Sequence, residues 1–334
     1  MYNSKIVGVG HYVPDNVVTN KDLEKLMDTS DEWIVERTGI RERRFVEKGS
    51  GDAPSTMGTK AAKIAIERAG LTPDDIDFIV FATLSPDYFF PGPGVMVQEQ
   101  LGIKNIGALD VRNQCSGFIY SVSVADQFIK TGMYKNILVI GAELHSGGLD
   151  MTTRGRNVSV IFGDGAGAVV MQATEEEGKG VLSTHLYSEG KYAEELALIG
   201  PNTGHWVPEI MESEEEDISY YPVMNGNFVF KNAVIRFQEV INEALQTNGK
   251  TANEIDLLIP HQANLRISQY IQQKMGLSND QVFNNIMKYG NTTAASIPIA
   301  MSEAWAEGKI KDGDTICLAA FGSGFTWGSA LINW

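Results

Sequence analysis

Cys115 is the residue whose type and setting point most directly to chemistry, and it lies in the segment LDVRNQCSGFIYSVSVADQFIK. Apolar residues follow it at helical spacing, at Phe118, Val122, Ala125 and Ile129. We therefore expect its thiol at a helix N-terminus, where partial positive charge stabilises a thiolate and lowers the thiol pKa. A buried, unreactive thiol is the alternative, and we expect it for Cys317, which lies in the apolar segment TICLAAF.

Two polar residues in the second part of the chain have settings that suit catalysis. His261 comes directly after the predicted strand IDLLIP, at the end of a strand where α/β proteins usually place ligands. Asn291 opens the predicted helix of NTTAASIPIAMSEAW, although an asparagine there is also an ordinary helix cap. A cysteine, a histidine and an asparagine together indicate nucleophilic catalysis.

Three segments are rich in glycine, a composition that binding loops share with tight turns. The segment AAFGSGFTWGSA at 319–330 is a candidate for placing backbone N–H groups around an oxyanion, because glycine permits close approach. The segments at 7–10 and 162–170 lack the features of a dinucleotide fingerprint and are predicted to be tight turns. No metal is expected, since metal-ligand spacing is absent at the remaining histidines, which are His11, His145, His185 and His205.

Short apolar runs with turn residues nearby predict the strands that would position these groups. They occur at 79–82, 137–140, 158–162, 169–171, 257–259 and 316–320. Helical spacing appears between them, and the alternation predicts an α/β fold with a mostly parallel or mixed sheet.

The two halves of the chain repeat one pattern. The segment AGLTPDDIDFIV at 69–80 recurs in outline as NGKTANEIDLLI at 248–259, and Ile76 and Ile255 are then 179 positions apart. Ile137 and Ile316, in a second pair of similar segments, have the same separation. A constant offset predicts duplication, with two α/β halves at 1–172 and 173–334. The helices after Cys115 and Asn291 then correspond, and both would point at the junction of the halves.

Composition excludes several functional classes. The chain has 334 residues and a formal net charge of −15, which disfavours nucleic-acid binding. No uncharged apolar stretch is long enough to span a membrane, and the N-terminal residues do not look like a signal peptide. Two cysteines fit a reducing compartment, so we expect a cytoplasmic protein without membrane insertion.

The motifs PHQAN, GNTTAAS and FGSGFTWGSAL, with VGVGHYVPDNVVTN and TSDEWIVERTGIRERRF near the N-terminus, resemble the β-ketoacyl-acyl carrier protein synthase III family. The resemblance runs nearly end to end. It implies a duplicated five-layer thiolase-like fold, with mixed sheets and buried central helices, in a homodimer. It also implies that an acyl group passes from acyl-CoA to the cysteine and condenses with malonyl-acyl carrier protein, releasing CO2. This reaction initiates fatty acid synthesis and uses no cofactor beyond its substrates.

The resemblance also implies roles for individual residues. Cys115 would be the nucleophile, with His261 and Asn291 completing the triad, and the oxyanion hole would consist of the backbone N–H groups of Cys115 and Ser323. CoA would be held by Trp33, Arg37 and Asn264, together with Arg154 or Arg156, both of which are candidates. Phe90 would reach into the acyl pocket of the partner subunit. The acyl carrier protein would dock at Arg266 and Lys231, with Arg236 near Lys231 on the same predicted helix.

The chemistry of the triad fits this reaction independently of the resemblance. A thiolate attacks a thioester, and the acyl-enzyme divides one difficult step into two easier ones. Loss of CO2 leaves an enolate, whose oxygen requires neutral donors such as His261 Nε2–H and the Asn291 amide.

The sequence departs from the family pattern near the expected substrate entrance. Asn113 and Gln114 precede the cysteine where small residues are usual, and residues 200–224 form a longer segment with an acidic run at 209–217. The starter acyl group, its pathway and the role of the acidic run therefore stay open. A ketosynthase for long-chain or specialised-metabolite condensation is the nearest alternative. A Cys/His thioesterase and a nucleotide-binding oxidoreductase are more distant ones.

Overall fold

The computed structural model describes residues 2–200, 202, 204, 211–212 and 218–334. Apart from 211–212, the acidic run at 209–217 lies outside the described residues. The strands are β1 (Asn3–Tyr12), β2 (Val17–Thr19), β3 (Glu42–Arg44), β4 (Phe78–Ala82), β5 (Gly107–Val111), β6 (Asn136–Glu143), β7 (Gly165–Thr174), β8 (Gly180–Ser188), β9 (Leu196–Ala197), β10 (Val223–Met224), β11 (Leu257–Pro260), β12 (Thr315–Gly322) and β13 (Thr326–Asn333).

The α-helices alternate with these strands along the chain. They are α1 (Asn20–Leu23), α2 (Asp31–Thr38), α3 (Pro54–Arg68), α4 (Pro93–Gln100), α5 (Gly117–Lys130), α6 (Arg156–Ser159), α7 (Gly226–Thr247), α8 (Leu265–Met275), α9 (Ile286–Tyr289) and α10 (Ser296–Ala306). No helix in the described part of the chain combines the length and the low polarity that crossing a bilayer requires.

Two mixed sheets form the framework, and apart from β5 in the first sheet their strand orders match. The first has the order β1-β7-β6-β4-β5, and the second has the order β8-β13-β12-β11. Phe78 pairs with Ile137 in the first sheet, and Leu257 pairs with Ile316 in the second, both in parallel ladders. Each residue of the second pair lies 179 positions after its counterpart in the first pair, so the structure confirms the duplication that the sequence offset predicts.

The central layer consists of α5 and α10, which pack between the two sheets. One core cluster joins side chains of both helices, such as Phe118 and Met301, to strand residues of both sheets, such as Val80 and Leu318. The outer face of the first sheet packs against α3, and that of the second packs against α7 and α8. The five layers and buried central helices are therefore confirmed. The division at 172/173 falls inside β7 and stays a prediction.

Three local predictions were wrong. Residues 7–10 lie within β1 instead of in a tight turn, because Gly8 and Gly10 let the α3 backbone approach the strand closely. Residues 165–170 likewise belong to β7. Residues 158–162 do not form a strand: the segment ends α6 and continues in an irregular path, whose apolar side chains pack in small clusters beside the site.

Candidate active site

Cys115 lies in a 3₁₀ turn, Gln114–Ser116, directly before α5. Its side chain is buried against the end of β12, where a Cβ on Gly322 would lie 2.6 Å from the Cys115 Cβ. Only glycine fits at that position, so the Gly322 backbone lies against the thiol. The sequence therefore located this helix start correctly, and the glycine-rich segment does approach the cysteine.

The expected lowering of the Cys115 pKa is wrong. Burial raises the pKa of the thiol to about 12, and the nearby carboxyl of Glu143 raises it further. The backbone N–H groups of Cys115 and Ser323 act in the opposite direction, because both can donate to the sulfur. Desolvation outweighs these donors, so Cys115 is a protonated thiol at neutral pH.

His261 follows β11, as the sequence predicts, and its ring is buried. Its Nδ1 lies 2.6 Å from the Ser296 hydroxyl, which also accepts a hydrogen bond from the Gln262 N–H at 3.3 Å. Its Nε2 is buried without a protein partner in the described residues. Burial lowers the pKa of His261 to about 3, so the imidazole is neutral. A Ser296 proton donated to Nδ1 leaves the ring proton on Nε2.

Asn291 is held by the backbone around it. The α-helix expected to begin there starts at Ser296 instead, after a 3₁₀ turn at Thr293–Ala295. The Asn291 Oδ1 accepts a hydrogen bond from the Thr293 N–H at 2.8 Å. Its own N–H donates to Ile161 and its carbonyl accepts from Gly163, which fixes the residue against the segment that follows α6.

A cavity of about 510 Å³ contains the side chains of Cys115, His261 and Asn291. Its inner walls are mainly apolar, and they include Ile161, Phe162, Leu196, Met224, Val229, Phe230, Phe237 and Phe321. Trp33, Arg37, Asn264 and Arg266 also line it. The cavity thus places a nucleophile, a neutral imidazole and an amide beside a space for an apolar chain, with cationic and aromatic groups along another part of the wall.

The cationic and aromatic part of this wall is built from α2 and the start of α8. The Arg37 guanidinium carbon lies 4.6 Å from the centre of the Trp33 ring. Asn264 caps α8 by accepting from the Arg266 N–H at 2.9 Å, and its amide donates to the Arg37 carbonyl at 2.9 Å. Asn264 therefore joins the two elements.

Arg154 and Arg156 have different surroundings. The Arg156 guanidinium carbon lies 5.3 Å from the centre of the Trp33 ring, and the side chain is 3.6 Å from a carboxylate oxygen of Asp28. Arg154 forms an ion pair with Asp150 at 2.6 Å and lies over the ring of Tyr221. Arg156, and not Arg154, thus shares the Trp33 surface.

Two stretches of the chain match family models. Residues 109–190 match 3-oxoacyl-[acyl-carrier-protein (ACP)] synthase III, and residues 245–334 match the C-terminal model of the same name. The chain is 46% identical over 330 residues to β-ketoacyl-[acyl-carrier-protein] synthase III 1 of Vibrio vulnificus YJ016, a match that covers 99% of both proteins. It is 47% identical, with the same coverage, to the synthase III of Aliivibrio fischeri.

The chain belongs to the β-ketoacyl-acyl carrier protein synthase III family. It is therefore a condensing enzyme of the acyltransferase type. The solved 3-oxoacyl-[acyl-carrier-protein] synthase III of Aquifex aeolicus VF5 is similar over 99% of this chain and 100% of its own, with a TM-score of 0.90 and 45% identity. That of Thermus thermophilus has a TM-score of 0.90, 36% identity and 99% coverage of both chains. These similarities confirm the duplicated thiolase-like fold.

The cavity wall includes Arg266 but not Phe90, Lys231 or Arg236. Phe90 is 82% exposed, beside the similarly exposed Tyr88 and Phe89. Lys231 and Arg266 are exposed, and Arg266 lies over the ring of Phe230. Arg236 is bound to Glu189 at 2.9 Å and to Glu239 at 2.8 Å, and it stacks on Trp327. Much of the charge of Arg236 is therefore offset by its neighbours.

Several residues that shape the site of this synthase III chain gave no signal in the sequence. Ser296 and Thr293 read as ordinary helix-start residues, although they contact His261 and Asn291. Glu143 ends β6, beyond the predicted strand at 137–140, and its buried carboxyl accepts a hydrogen bond from Ser85 Oγ at 2.6 Å. No three His, Cys, Asp or Glu side chains of the described residues lie together as a metal site requires.

Proposed function

We propose that this enzyme condenses an acyl-CoA starter with malonyl-acyl carrier protein through an acyl-Cys115 intermediate. The products are 3-oxoacyl-acyl carrier protein, CoA and CO2, and the reaction initiates fatty acid synthesis. Acyl-CoA and malonyl-acyl carrier protein are substrates, and no further cofactor takes part. One observation carries this proposal: Cys115, His261 and Asn291 meet in one cavity that also has an apolar wall and a cationic, aromatic wall.

In the first half-reaction, the Cys115 sulfur attacks the carbonyl carbon of the acyl-CoA thioester. The negative charge that develops on the carbonyl oxygen is stabilised by the N–H groups of Cys115 and Ser323, which lie beside the sulfur. The carbon–sulfur bond to CoA then breaks, and the proton of the Cys115 thiol ends on the CoA sulfur. His261 is too weak a base to hold that proton, because its pKa is about 3.

In the second half-reaction, the bond between the malonyl carboxylate and the adjacent carbon breaks, and CO2 leaves. The remaining electron pair forms an enolate, whose oxygen accepts hydrogen bonds from His261 Nε2–H and the Asn291 amide. This role is supported by the His261 Nε2, which is buried and has no hydrogen-bond partner among the described residues. The enolate carbon attacks the acyl carbonyl on Cys115, and the thiolate that is released takes up one proton.

CoA lies, in this proposal, along the wall formed by Trp33, Arg37 and Asn264. Trp33 is one contact of the adenine base, and Arg156 is the other. The Arg156 guanidinium group lies over the Trp33 ring, and an aromatic base can stack against both groups. Arg154 instead orders the loop through Asp150. Arg37 supplies positive charge for the phosphates.

A homodimer is part of the same proposal. Tyr88, Phe89 and Phe90 form an exposed apolar loop, and a patch of this kind usually has a protein partner. In a second copy of the chain, Phe90 would close the apolar end of the partner's cavity. A solution mass equal to one chain would contradict this arrangement.

The carrier protein docks, in this proposal, at Arg266 and Lys231, which are exposed near the cavity. Arg236 contributes less than the sequence suggests, because Glu189 and Glu239 offset its charge. A cytoplasmic location is proposed as well, and it is supported by two buried cysteines that form no disulfide.

The test combines intact-mass analysis with a panel of acyl-CoAs that differ in length and branching. Each accepted starter should add one acyl mass, on the peptide that contains Cys115. Cys115→Ala should abolish the addition, whereas Cys317→Ala, which alters a buried cysteine of β12, should cost stability and leave acylation intact. Acylation that persists in Cys115→Ala would overturn the proposal, and free acid formed without malonyl substrate would favour the thioesterase alternative.

A further inference from the structure

The amide of Asn291 can serve an enolate oxygen in only one of its two orientations. With its NH₂ group toward the cavity it donates a hydrogen bond, and after a half-turn its oxygen would repel the enolate. The Thr293 N–H, 2.8 Å from Oδ1, decides between them, because a donor can pair only with the oxygen of the amide. Thr293 therefore sets which end of Asn291 faces the reaction.

The N–H of Thr293 reaches Asn291 because of an unusual backbone conformation. Thr293 has a φ of +49°, and such a value is disfavoured for a β-branched residue. A conformation of this kind is strained and persists only where the surroundings hold it. The Thr293 side chain is buried, and its hydroxyl lies 2.7 Å from His145 Nε2.

His145 is itself firmly placed. Its backbone N–H donates to Asp164 Oδ1 at 2.7 Å, and its ring centre lies 4.7 Å from that of Phe162. Phe162 forms a β-bridge with Asn291. His145 therefore contacts two residues that hold Asn291 in place, Phe162 and Thr293. Burial lowers the pKa of His145 to about 4, which keeps the ring neutral and its hydrogen bond to Thr293 unchanged at physiological pH.

We propose that His145 and Thr293 are positioning residues that fix the orientation of the Asn291 amide and thereby the decarboxylation step. Neither side chain touches the reacting atoms, and both act through the Thr293 N–H. This inference rests on the proposed function, since it assigns a use to the Asn291 donor. It concerns only the second half-reaction, because acylation of Cys115 uses the N–H groups of Cys115 and Ser323.

The test uses two variants that keep shape and remove the hydrogen bond. Thr293→Val replaces the hydroxyl by a methyl group, and His145→Phe keeps a ring of similar size. Each should lower the rate of CO2 release from malonyl-acyl carrier protein about tenfold, since a misplaced group loses most of its catalytic effect. Acylation of Cys115 by acyl-CoA should stay within about twofold, and Thr293→Ser, which keeps the hydroxyl, should restore CO2 release.

A double variant distinguishes this positioning role from a general disruption of the site. Because both residues act through one hydrogen bond, His145→Phe/Thr293→Val should lose no more CO2 release than the larger single loss. Multiplied losses, an equal loss of acylation, or unchanged CO2 release in both single variants would overturn the inference. If the native protein releases no CO2 from malonyl-acyl carrier protein, the proposed function itself fails, which is a separate outcome.

Discussion

Burial holds both titratable side chains of the reacting centre in their neutral forms. The pKa of Cys115 is raised to about 12, and that of His261 is lowered to about 3. Proton transfer from the thiol to the imidazole would therefore be strongly uphill. A neutral imidazole is instead suited to donate from Nε2, and Ser296 beside Nδ1 supports that tautomer.

The raised thiol pKa predicts how acylation depends on pH. Well below its pKa, the thiolate fraction of Cys115 increases about tenfold for each pH unit, so the acylation rate should rise with that slope between roughly pH 6 and 9. Neutral His261 contributes no change in this range, because it protonates only near pH 3. Single-turnover labelling by acyl-CoA measures the slope. A rate that is level above pH 7 would show that the working thiol has a low pKa.

At the scale of elements, regular burial patterns made much of the fold predictable. The runs at 79–82, 137–140 and 316–320 became strands because they are buried on both faces, and α5 follows the apolar spacing after Cys115. Long-range features were not predictable from local patterns. The contact between His145 and Thr293 joins residues 148 positions apart, and the thiol pKa depends on the desolvation produced by the whole fold.

The glycines at 7–10 are a second case in which a long-range contact was not predictable from the local sequence. Local sequence favoured a turn, whereas the structure uses Gly10 to pack β1 against α3. A Cβ at Gly10 would lie 2.4 Å from the Ala61 carbonyl oxygen and 2.6 Å from the Ala65 nitrogen. These are backbone atoms of a helix, which cannot move aside as a side chain can.

Gly10→Ala should therefore destabilise the protein. We expect a loss of about 1–3 kcal/mol or more in the free energy of unfolding, since overpacking forces the backbone to shift. The control is Gly148→Ala, because a Cβ at that exposed glycine would meet no atom within 4 Å. Denaturant unfolding of the two variants measures the difference. Equal stabilities would contradict the close packing of β1 on α3.

At the scale of the whole molecule, an enzyme with a net charge of −15 must still receive an acidic carrier protein. General repulsion can be overcome only by a local basic surface, and we propose that Arg266 and Lys231, both exposed, form it. Arg236 is a weaker contributor because two carboxylates neutralise it.

Arg266→Glu should raise the KM for malonyl-acyl carrier protein at least tenfold, as charge reversal at a docking site weakens the encounter. Acylation by acyl-CoA should change little. Added salt should reduce the difference in KM between the variant and the native enzyme. Lys274→Glu, an exposed change at the far end of α8, is the matched control. An equal loss in both half-reactions would mean that Arg266 serves CoA or the structure.

The central claim is that Cys115 carries the acyl group while His261 and Asn291 serve the enolate. Acyl labelling and CO2 release, measured separately on His261→Ala and Asn291→Ala, test it most directly. Each variant should lose CO2 release by on the order of 10²–10³, the usual effect of removing one oxyanion donor, and still take up acyl label on Cys115. The double variant should lose much less than the product of the two losses, because both donors act on one oxygen. Loss of acylation as complete as the loss of CO2 release would contradict this division of roles.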